Sequence, residues 1–150
     1  MRLKIEDILD AMKIKYRIIE LKARAITVKD VIEYSEENIT VEEICKTILV
    51  KRKDQYYALF LRGADKVDFK KLKTVIGKAS IASQEDVFKV VGVKPGAICP
   101  LLLDILVLVD RHILELERVN FSSGDHLFGV EMASGDLEHV MVFRLVDIAK

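Results

Sequence analysis

ICKTILVKRKDQYYALFLR, residues 44–62, is the stretch that decides how this chain folds. Its two apolar runs, residues 44–51 and 55–62, have the length and the β-branched and aromatic content of strands. The short polar connector Arg52-Lys53-Asp54 between them is typical of a tight turn. The stretch therefore predicts a β-hairpin.

Helical and extended patterns alternate on both sides of this hairpin. Apolar residues at helical spacing predict a helix over residues 5–12. Thr27, Asp68 and Ser83 stand at the N-cap position of three more helices, the first of which we expect to end at Asn38. A capping-box pattern at Thr40 and Glu43 predicts another helical turn. Further strands are predicted over residues 15–21, 105–109, 114–120, 126–132 and 140–148, with a short helix over residues 134–139.

This pattern contains more strands than a simple series of βαβ crossovers would give. We therefore expect an α+β fold, in which a curved mixed β-sheet or small barrel is surrounded by helices. The 150 residues, 51% hydrophobic and 32% charged, suit a single domain over residues 1–150 with a real core.

Charge and hydropathy exclude several classes of protein. The 24 basic and 24 acidic residues balance, whereas a general nucleic-acid coat protein usually has a basic excess. No apolar run reaches the roughly 20 residues that span a bilayer, and the N-terminus lacks the apolar stretch of a signal peptide. We predict a soluble, cytoplasmic protein that does not bind membranes. Cys45, Cys99 and three scattered histidines show no metal-ligand spacing, so no metal or other cofactor is expected.

Several segments have an order and spacing that can be compared with known families. Thr27 precedes a predicted helix, and C-K-T-I-L-V follows at residues 45–50. The loop G-V-K-P-G-A-I-C-P-L covers residues 92–101. Ser123-Gly124 is followed by F-G-V-E-M-A-S-G-D-L at residues 128–137, and V-D-I-A stands at residues 146–149. Over nearly the whole chain these segments resemble the YbaK/ProX family of prolyl-tRNA-synthetase-associated editing domains.

The resemblance implies an enzyme that hydrolyses the ester joining a small amino acid to the terminal ribose of tRNA. Such an ester is already activated, so the reaction needs a pocket, a positioned water and donors for the developing oxyanion. The chain has no G-x-S-x-G elbow and no Ser-His-Asp signature, which agrees with a mechanism without a protein nucleophile. The implied partners are the 3′ acceptor end of aminoacyl-tRNA and an aminoacyl-tRNA synthetase.

Lys46 and the loop that begins at Gly96 are the candidate catalytic positions. The resemblance assigns Lys46 to the terminal phosphate or ribose, a contact that suits a compact ammonium. From its strand alone, Lys46 would be a solvent-facing residue. Glycine lets backbone N–H groups approach an ester carbonyl, and proline restricts the loop. We expect the loop residues Gly96, Ala97, Ile98, Cys99 and Pro100 to bind substrate; the alternative is an ordinary connection between a helix and a buried strand.

Thr27, Gly124 and His126 complete the predicted binding residues. Thr27 and Gly124 come from the resemblance, whereas His126 follows a turn and either reaches the cleft or is a polar surface residue. Cys99 has no histidine nearby in sequence to activate it, so we interpret it as a pocket wall or core residue. Cys45 is predicted to be in the core.

Two positions depart from the family pattern. Some members have a carboxylate where this chain has Gly129, and a tyrosine at the end of the first strand, where this chain has Glu20 and Leu21. Of the remaining carboxylates, Glu131 alternates onto the face of Gly129, and Asp136 is predicted to cap the last helix. The departures leave open a tRNA- or synthetase-binding module without catalysis. A third alternative is a domain that uses the same pocket to bind free amino acids.

Overall fold

Two β-sheets form the framework of the protein, in a computed structural model that describes residues 2–36, 38–93 and 96–150. One sheet contains β1 (Tyr16–Glu20), β6 (Arg118–Asp125) and β7 (Phe128–Ala133). The other contains β2 (Cys45–Arg52), β3 (Gln55–Arg62), β4 (Ser80–Ile81), β5 (Val107–Asp110) and β8 (Phe143–Val146). The helices are α1 (Lys4–Ala11), α2 (Val28–Tyr34), α3 (Phe69–Ile76), α4 (Gln84–Val91) and α5 (Leu137–Val140). Short 3₁₀ helices occupy Val41–Glu43, Pro100–Leu102, Arg111–Glu115 and Ser134–Asp136.

The predicted hairpin lies in the larger sheet, whose strand order is β4-β2-β3-β5-β8. Strands β2 and β3 pair antiparallel from Cys45 opposite Arg62 to Arg52 opposite Gln55, and Lys53 turns the chain with a positive φ of 52°. Strand β5 runs parallel to both β3 and β8, which makes this sheet mixed. The smaller sheet is antiparallel, with the order β1-β7-β6. These features confirm the α+β prediction, with the strands divided between two open sheets.

Burial on both faces of β3 shows where the core lies. Ala58 and Phe60 pack into one hydrophobic cluster, and Leu59 and Leu61 pack into a second on the opposite face. Phe60 meets Phe121 of the smaller sheet edge to face, with ring centroids 5.8 Å apart. A strand covered on both faces needs a nearly continuous apolar run, and the sequence of β3 supplies one.

The sheets meet where Ile44 and Asn120 form an isolated parallel bridge. Both residues are buried, at 2% exposure each. This bridge joins the start of the central hairpin to the smaller sheet, and it places the ends of β2 and β6 beside each other. Within the described residues, no helix has both the length and the apolar character required to cross a bilayer.

Local capping predictions are confirmed at three helices. Thr27 accepts a hydrogen bond from the Asp30 amide, Asp68 accepts from the amides at positions 70 and 71, and Ser83 accepts from the Asp86 amide. These bonds satisfy amide donors that the first helical turn leaves without an internal partner.

Three boundary predictions were wrong, the first two because a contact from elsewhere in the chain replaced a local one. Helix α2 ends at Tyr34 rather than Asn38, since Ser35 is extended and bridges to Leu21. Thr40 makes no side-chain cap, and the Glu43 carboxylate accepts from the Arg118 amide instead. The predicted strand over residues 114–120 starts as the 3₁₀ helix Arg111–Glu115, which the Asp110 carboxylate caps.

Candidate active site

A cavity of about 530 Å³ lies where the two sheets meet. Its walls come from the segment leading into α2, from the first half of β2, from the β6–β7 turn and from the loop at Gly96. Most of the lining is apolar, including Ile19, Leu49, Val87 and Phe121. A volume of this size and an apolar lining with few polar groups are typical of small-molecule sites.

Gly96 forms one edge of the cavity by touching the backbone of Ile26. Its φ is +92°, a conformation that side-chain-bearing residues rarely adopt. A Cβ at this position would stand 2.6 Å from the Ile26 carbonyl oxygen and 2.8 Å from its Cα. The loop can therefore approach the segment before α2 this closely only with glycine at position 96.

Thr27 lies at the same edge, at the start of α2. Its hydroxyl accepts from the Asp30 amide at 3.2 Å, and the Asp30 carboxylate accepts from the Ile26 and Thr27 amides at 3.0 and 3.2 Å. These backbone hydrogen bonds, with the one from Ile26 foremost, hold the pKa of Asp30 below its usual value. The capping box thus orients the segment on which Gly96 rests.

Lys46 lines the cavity from β2, and its side chain is half-buried. The ammonium donates to the carbonyl oxygen of Gly63 at 3.2 Å and to that of Asp65. Burial lowers the pKa of this amine, because water no longer fully solvates its charged form. The ammonium has three N–H donors, so it can hold the 63–65 segment and still contact a ligand oxygen.

The predicted site residues divide between two cavities. Lys46, Thr27, Gly96, Ile98 and His126 line the cavity described above. Ala97, Cys99 and Gly124 line a second cavity of about 690 Å³, next to the start of α1. Pro100 is buried, opens the 3₁₀ helix Pro100–Leu102 and lines neither cavity.

Alternation of side chains along the segment that leads to Cys99, itself extended, accounts for this division. Successive side chains of an extended segment point to opposite sides. Ile98 accordingly faces the first cavity, whereas Ala97 and Cys99 face the second. The loop therefore forms a partition with one face toward each cavity, and the substrate-binding roles of Ala97, Cys99, Pro100 and Gly124 remain predictions.

His126 reaches the first cavity and is half-buried. Its Nδ1 lies 2.9 Å from the carbonyl oxygen of Ala25, and its own carbonyl accepts from the Ala25 amide at 3.0 Å. A carbonyl oxygen only accepts, so Nδ1 carries the hydrogen. The imidazole is consequently fixed to the segment before α2, with Nε2 as its remaining polar atom.

Sequence reasoning missed Thr47 and Asn120, two polar residues of the cavity wall. Asn120 is only 2% exposed and stands between two buried apolar residues, Val119 and Phe121. A buried amide in such a run is unusual, because a buried polar group needs a hydrogen-bond partner. That contrast between Asn120 and its neighbours was the signal that could have identified it.

The two departures from the family pattern, Leu21 and Gly129, both line the cavity. Glu131 does not line it, because its carboxylate pairs with Arg17 at 2.9 Å and with Arg118 at 3.8 Å. Asp136 stands at the N-cap position of α5 and, contrary to prediction, makes no side-chain capping bond there.

Three potential metal ligands, Asp65, Asp110 and His112, lie close together outside the cavity. Asp110 accepts from the Ile148 and Ala149 amides at 3.0 and 3.1 Å, and from the His112 amide and Nδ1 at 3.1 and 2.7 Å. Asp65 pairs with Arg62 at 2.8 Å. These carboxylates are already used in hydrogen bonds that hold the protein together.

Both cysteine thiols are expected to resist modification in the folded protein. Cys45 and Cys99 are 6% and 2% exposed, and burial raises the pKa of each to about 12. The thiolate is the reactive form, so a disulfide reagent at pH 8 should leave both thiols unmodified over an hour. In guanidinium chloride both should react within minutes. Rapid reaction of either thiol in the native protein would contradict the buried placement.

The family model for the aminoacyl-tRNA editing domain matches residues 25–140. This match covers well over half of the chain, which therefore belongs to the aminoacyl-tRNA editing domain family. The finding confirms the resemblance drawn from the three motif segments.

Individual relatives agree with the family assignment. The proline–tRNA ligase of Caldicellulosiruptor saccharolyticus is 26% identical over 113 residues, which cover 74% of this chain and 19% of the ligase. The chain thus matches about a fifth of that relative's length. The solved structure of the hypothetical protein APE2540 is 23% identical and superimposes with a TM-score of 0.84, covering 98% of this chain and 99% of that one. A proposed trans-editing enzyme for prolyl tRNA synthetase is 18% identical, with a TM-score of 0.82 and coverage of 97% and 94%. At these identities the two structures show the fold.

Proposed function

We propose that the protein is a trans-editing aminoacyl-tRNA deacylase. It hydrolyses the ester between tRNA and a small mischarged amino acid such as alanine, cysteine, serine or a proline-like residue. The observation that carries this proposal is that Lys46 and Gly96, fifty positions apart in the chain, line one cavity. A charged donor can hold the substrate near its ester, and a close backbone approach can bring N–H donors to the oxyanion.

Each side of the cavity has a distinct task in this reaction. Lys46 binds an oxygen of the terminal phosphate or ribose with the ammonium hydrogen that remains after its bonds to Gly63 and Asp65. The backbone at Gly96 lies against the ester, where N–H groups of the loop stabilise charge on the carbonyl oxygen. The apolar wall surrounds the amino acid side chain and favours small ones.

Water, rather than a protein group, attacks the ester in this proposal. The thiols of Cys45 and Cys99 are buried and stay protonated at neutral pH, with pKa values of about 12. The Ser122 hydroxyl, which is also at the cavity, accepts from the Gly124 amide at 3.3 Å. The proposed reaction has no covalent intermediate, and the site positions substrate and water.

The substrate implies its partners. Aminoacyl-tRNA enters with its 3′ acceptor end, and contacts beyond the cavity select the tRNA, because pocket size alone discriminates by only about 1–3 kcal/mol per methylene. Similarity to part of a proline–tRNA ligase supports action alongside a synthetase that mischarges tRNA.

The direct test is a deacylation panel. The purified protein is mixed with tRNAs carrying alanine, cysteine, serine or proline, and release of the amino acid is followed against the spontaneous rate. At least one mischarged tRNA should be hydrolysed tenfold or more above that rate, with no acyl-protein trapped on acid quench. Tight tRNA binding without turnover on any member would instead support the binding module. Calorimetric binding of free amino acids alone would support the third alternative.

A further inference from the structure

Lys46 is held at its cavity by backbone carbonyls rather than by a carboxylate. Its ammonium donates to the carbonyl oxygens of Gly63 and Asp65, which lie in the turn after β3. Within the residues that the structure describes, no carboxylate lies within ion-pair distance of this ammonium. Carbonyl oxygens satisfy N–H donors without neutralising the charge, so the ammonium stays available to an anionic ligand.

The carboxylate of Asp65 faces Arg62, although the carbonyl of the same residue faces Lys46. Arg62 Nε and Nη2 donate to the two carboxylate oxygens at 2.8 and 3.2 Å. Such a bidentate pair fixes the direction of a carboxylate as well as binding it. The Asp65 side chain is only 14% exposed, so water screens this pair less than an ordinary surface pair.

The turn that carries both groups is fixed against the start of β2. The Asp65 amide donates to the Arg62 carbonyl at 3.1 Å, which closes the turn, and the Gly63 amide donates to the Ile44 carbonyl at 2.7 Å. A Cβ on Gly63 would stand 2.9 Å from that same Ile44 oxygen. The turn therefore keeps a fixed distance from Lys46, two positions after Ile44.

Other neighbours of the Asp65 carboxylate cannot replace Arg62. A carboxylate oxygen of Asp65, one of Asp110 and a ring nitrogen of His112 lie within 4.8 Å of one another. Asp110 repels Asp65, and the neutral His112 ring, whose Nδ1 hydrogen is committed to Asp110, has no second N–H to donate. Without Arg62, Lys46 is a cation within reach, because its ammonium already contacts the Asp65 carbonyl.

On the basis of the proposed function, we propose that Arg62 is a positioning residue of the deacylase site. It holds the Asp65 carboxylate away from Lys46, so that the ammonium keeps its charge for the anionic 3′ end of the substrate. Loss of Arg62 lets Asp65 pair with Lys46 in place of a substrate phosphate. An ammonium that is already paired within the protein binds an incoming anion weakly, because that pair must first be broken.

The test is a rescue experiment on single-turnover deacylation of the mischarged tRNA that is most active in the panel. Arg62→Met keeps a long apolar side chain, removes the guanidinium and should lower kcat/KM tenfold or more. Asp65→Asn alone should stay within threefold of the native value. Combining the two substitutions should restore kcat/KM to within threefold of native, because a neutral amide cannot form the ion pair. A loss that persists in the double variant, or a native rate for Arg62→Met, overturns the inference.

The matched control is Arg2→Met. Arg2 is also an arginine whose guanidinium bonds to carboxylates, those of Asp7 and Asp10, and it lines neither cavity. Its substitution should change kcat/KM by less than threefold. Thermal unfolding checks that every variant is folded, and Arg62→Ala replaces Arg62→Met if the latter does not fold.

A crystal structure of Arg62→Met separates this inference from the proposed function, because it requires no hydrolysis. The Asp65 carboxylate should lie within about 4 Å of Lys46 Nζ in the variant, the usual limit of an ion pair. That result in a protein that hydrolyses no tRNA supports the inferred role of Arg62, and only the proposed function fails. A carboxylate that stays away from Lys46 overturns the inference and leaves the deacylase proposal standing.

Discussion

Lys46→Ala is expected to lower kcat/KM for the mischarged tRNA by about 100- to 1,000-fold, a loss typical of removing one donor that stabilises a transition state. The ammonium is half-buried at the cavity, and this burial partly desolvates it and lowers its pKa. Electrostatic contacts are stronger in such surroundings than in water. Single-turnover deacylation of the tRNA that is most active in the panel measures the effect.

The matched control is Lys51→Ala on the same strand. Lys51 carries the same charge and does not line the cavity. Its Nζ lies 4.0 Å from an Asp86 carboxylate oxygen. Its loss should change the rate by less than threefold. Because Lys46 also holds the carbonyls of Gly63 and Asp65, thermal unfolding must show that the Lys46 variant is folded. A folded Lys46→Ala protein with the native rate would remove this residue from the mechanism.

Asp110→Ala is expected to produce the largest loss of stability, about 3 kcal/mol or more in the free energy of unfolding. The carboxylate is completely buried and accepts four hydrogen bonds, from the Ile148 and Ala149 amides and from the amide and ring of His112. Each buried donor left without a partner costs about 1–3 kcal/mol. These bonds also attach the end of the chain after β8 to the end of the neighbouring strand β5. Urea unfolding at pH 7 measures the loss.

The loss of unfolding free energy in Asp110→Ala depends on pH in a direction that can be derived. Burial opposes ionisation of Asp110, but the hydrogen bonds from the Ile148 amide and from His112 outweigh it and hold the pKa below the usual 3.8. A depressed carboxyl pKa contributes stability that is present above the unfolded-state value and is lost as the pH falls through the folded value. The difference between native protein and variant should therefore shrink as the pH falls below 3.8.

Asp147→Ala provides the comparison for this second prediction. Asp147 is a nearby exposed carboxylate that pairs with Lys71 at 3.1 Å and with Arg111 at 3.5 Å. Exposed ion pairs add little stability because water screens them, so this variant should unfold at nearly the native urea concentration. Equal losses in the two variants would show that the buried hydrogen bonds of Asp110 are not what stabilises the chain end.

Local features of the fold could be predicted because short stretches of chain determine them. The hairpin of β2 and β3 follows from two apolar runs and a polar turn, and Thr27, Asp68 and Ser83 cap helices that begin beside them. Boundaries were wrong where a distant partner competed. Thr40 and Glu43, for example, do not form the predicted capping box. The Glu43 carboxylate instead accepts a hydrogen bond from the Arg118 amide, 75 residues away.

In the candidate site, too, some features could be predicted from the sequence and others depend on distant contacts. Lys46 and Gly96 were identified from motif positions, and the structure places both at one cavity. The motif could not show that Ile98 faces this cavity while Ala97 and Cys99 face the other, because the direction of the extended segment depends on where Gly96 meets Ile26. Asn120 was not identified, because its burial depends on the bridge to Ile44 that joins the two sheets.

The sequence by itself determined the mixed α+β class, the central hairpin, the starts of α2, α3 and α4, and the family. Hydrophobic periodicity, capping and motif spacing act over short distances or are visible in the residue order. Only the tertiary structure decided which residues share a cavity. The bridge from Ile44 to Asn120 and the contact of Gly96 with Ile26 join segments that are about 70 positions apart in the chain. Such pairings depend on how two sheets pack against each other, and that packing minimises the free energy of the whole core rather than of any one segment.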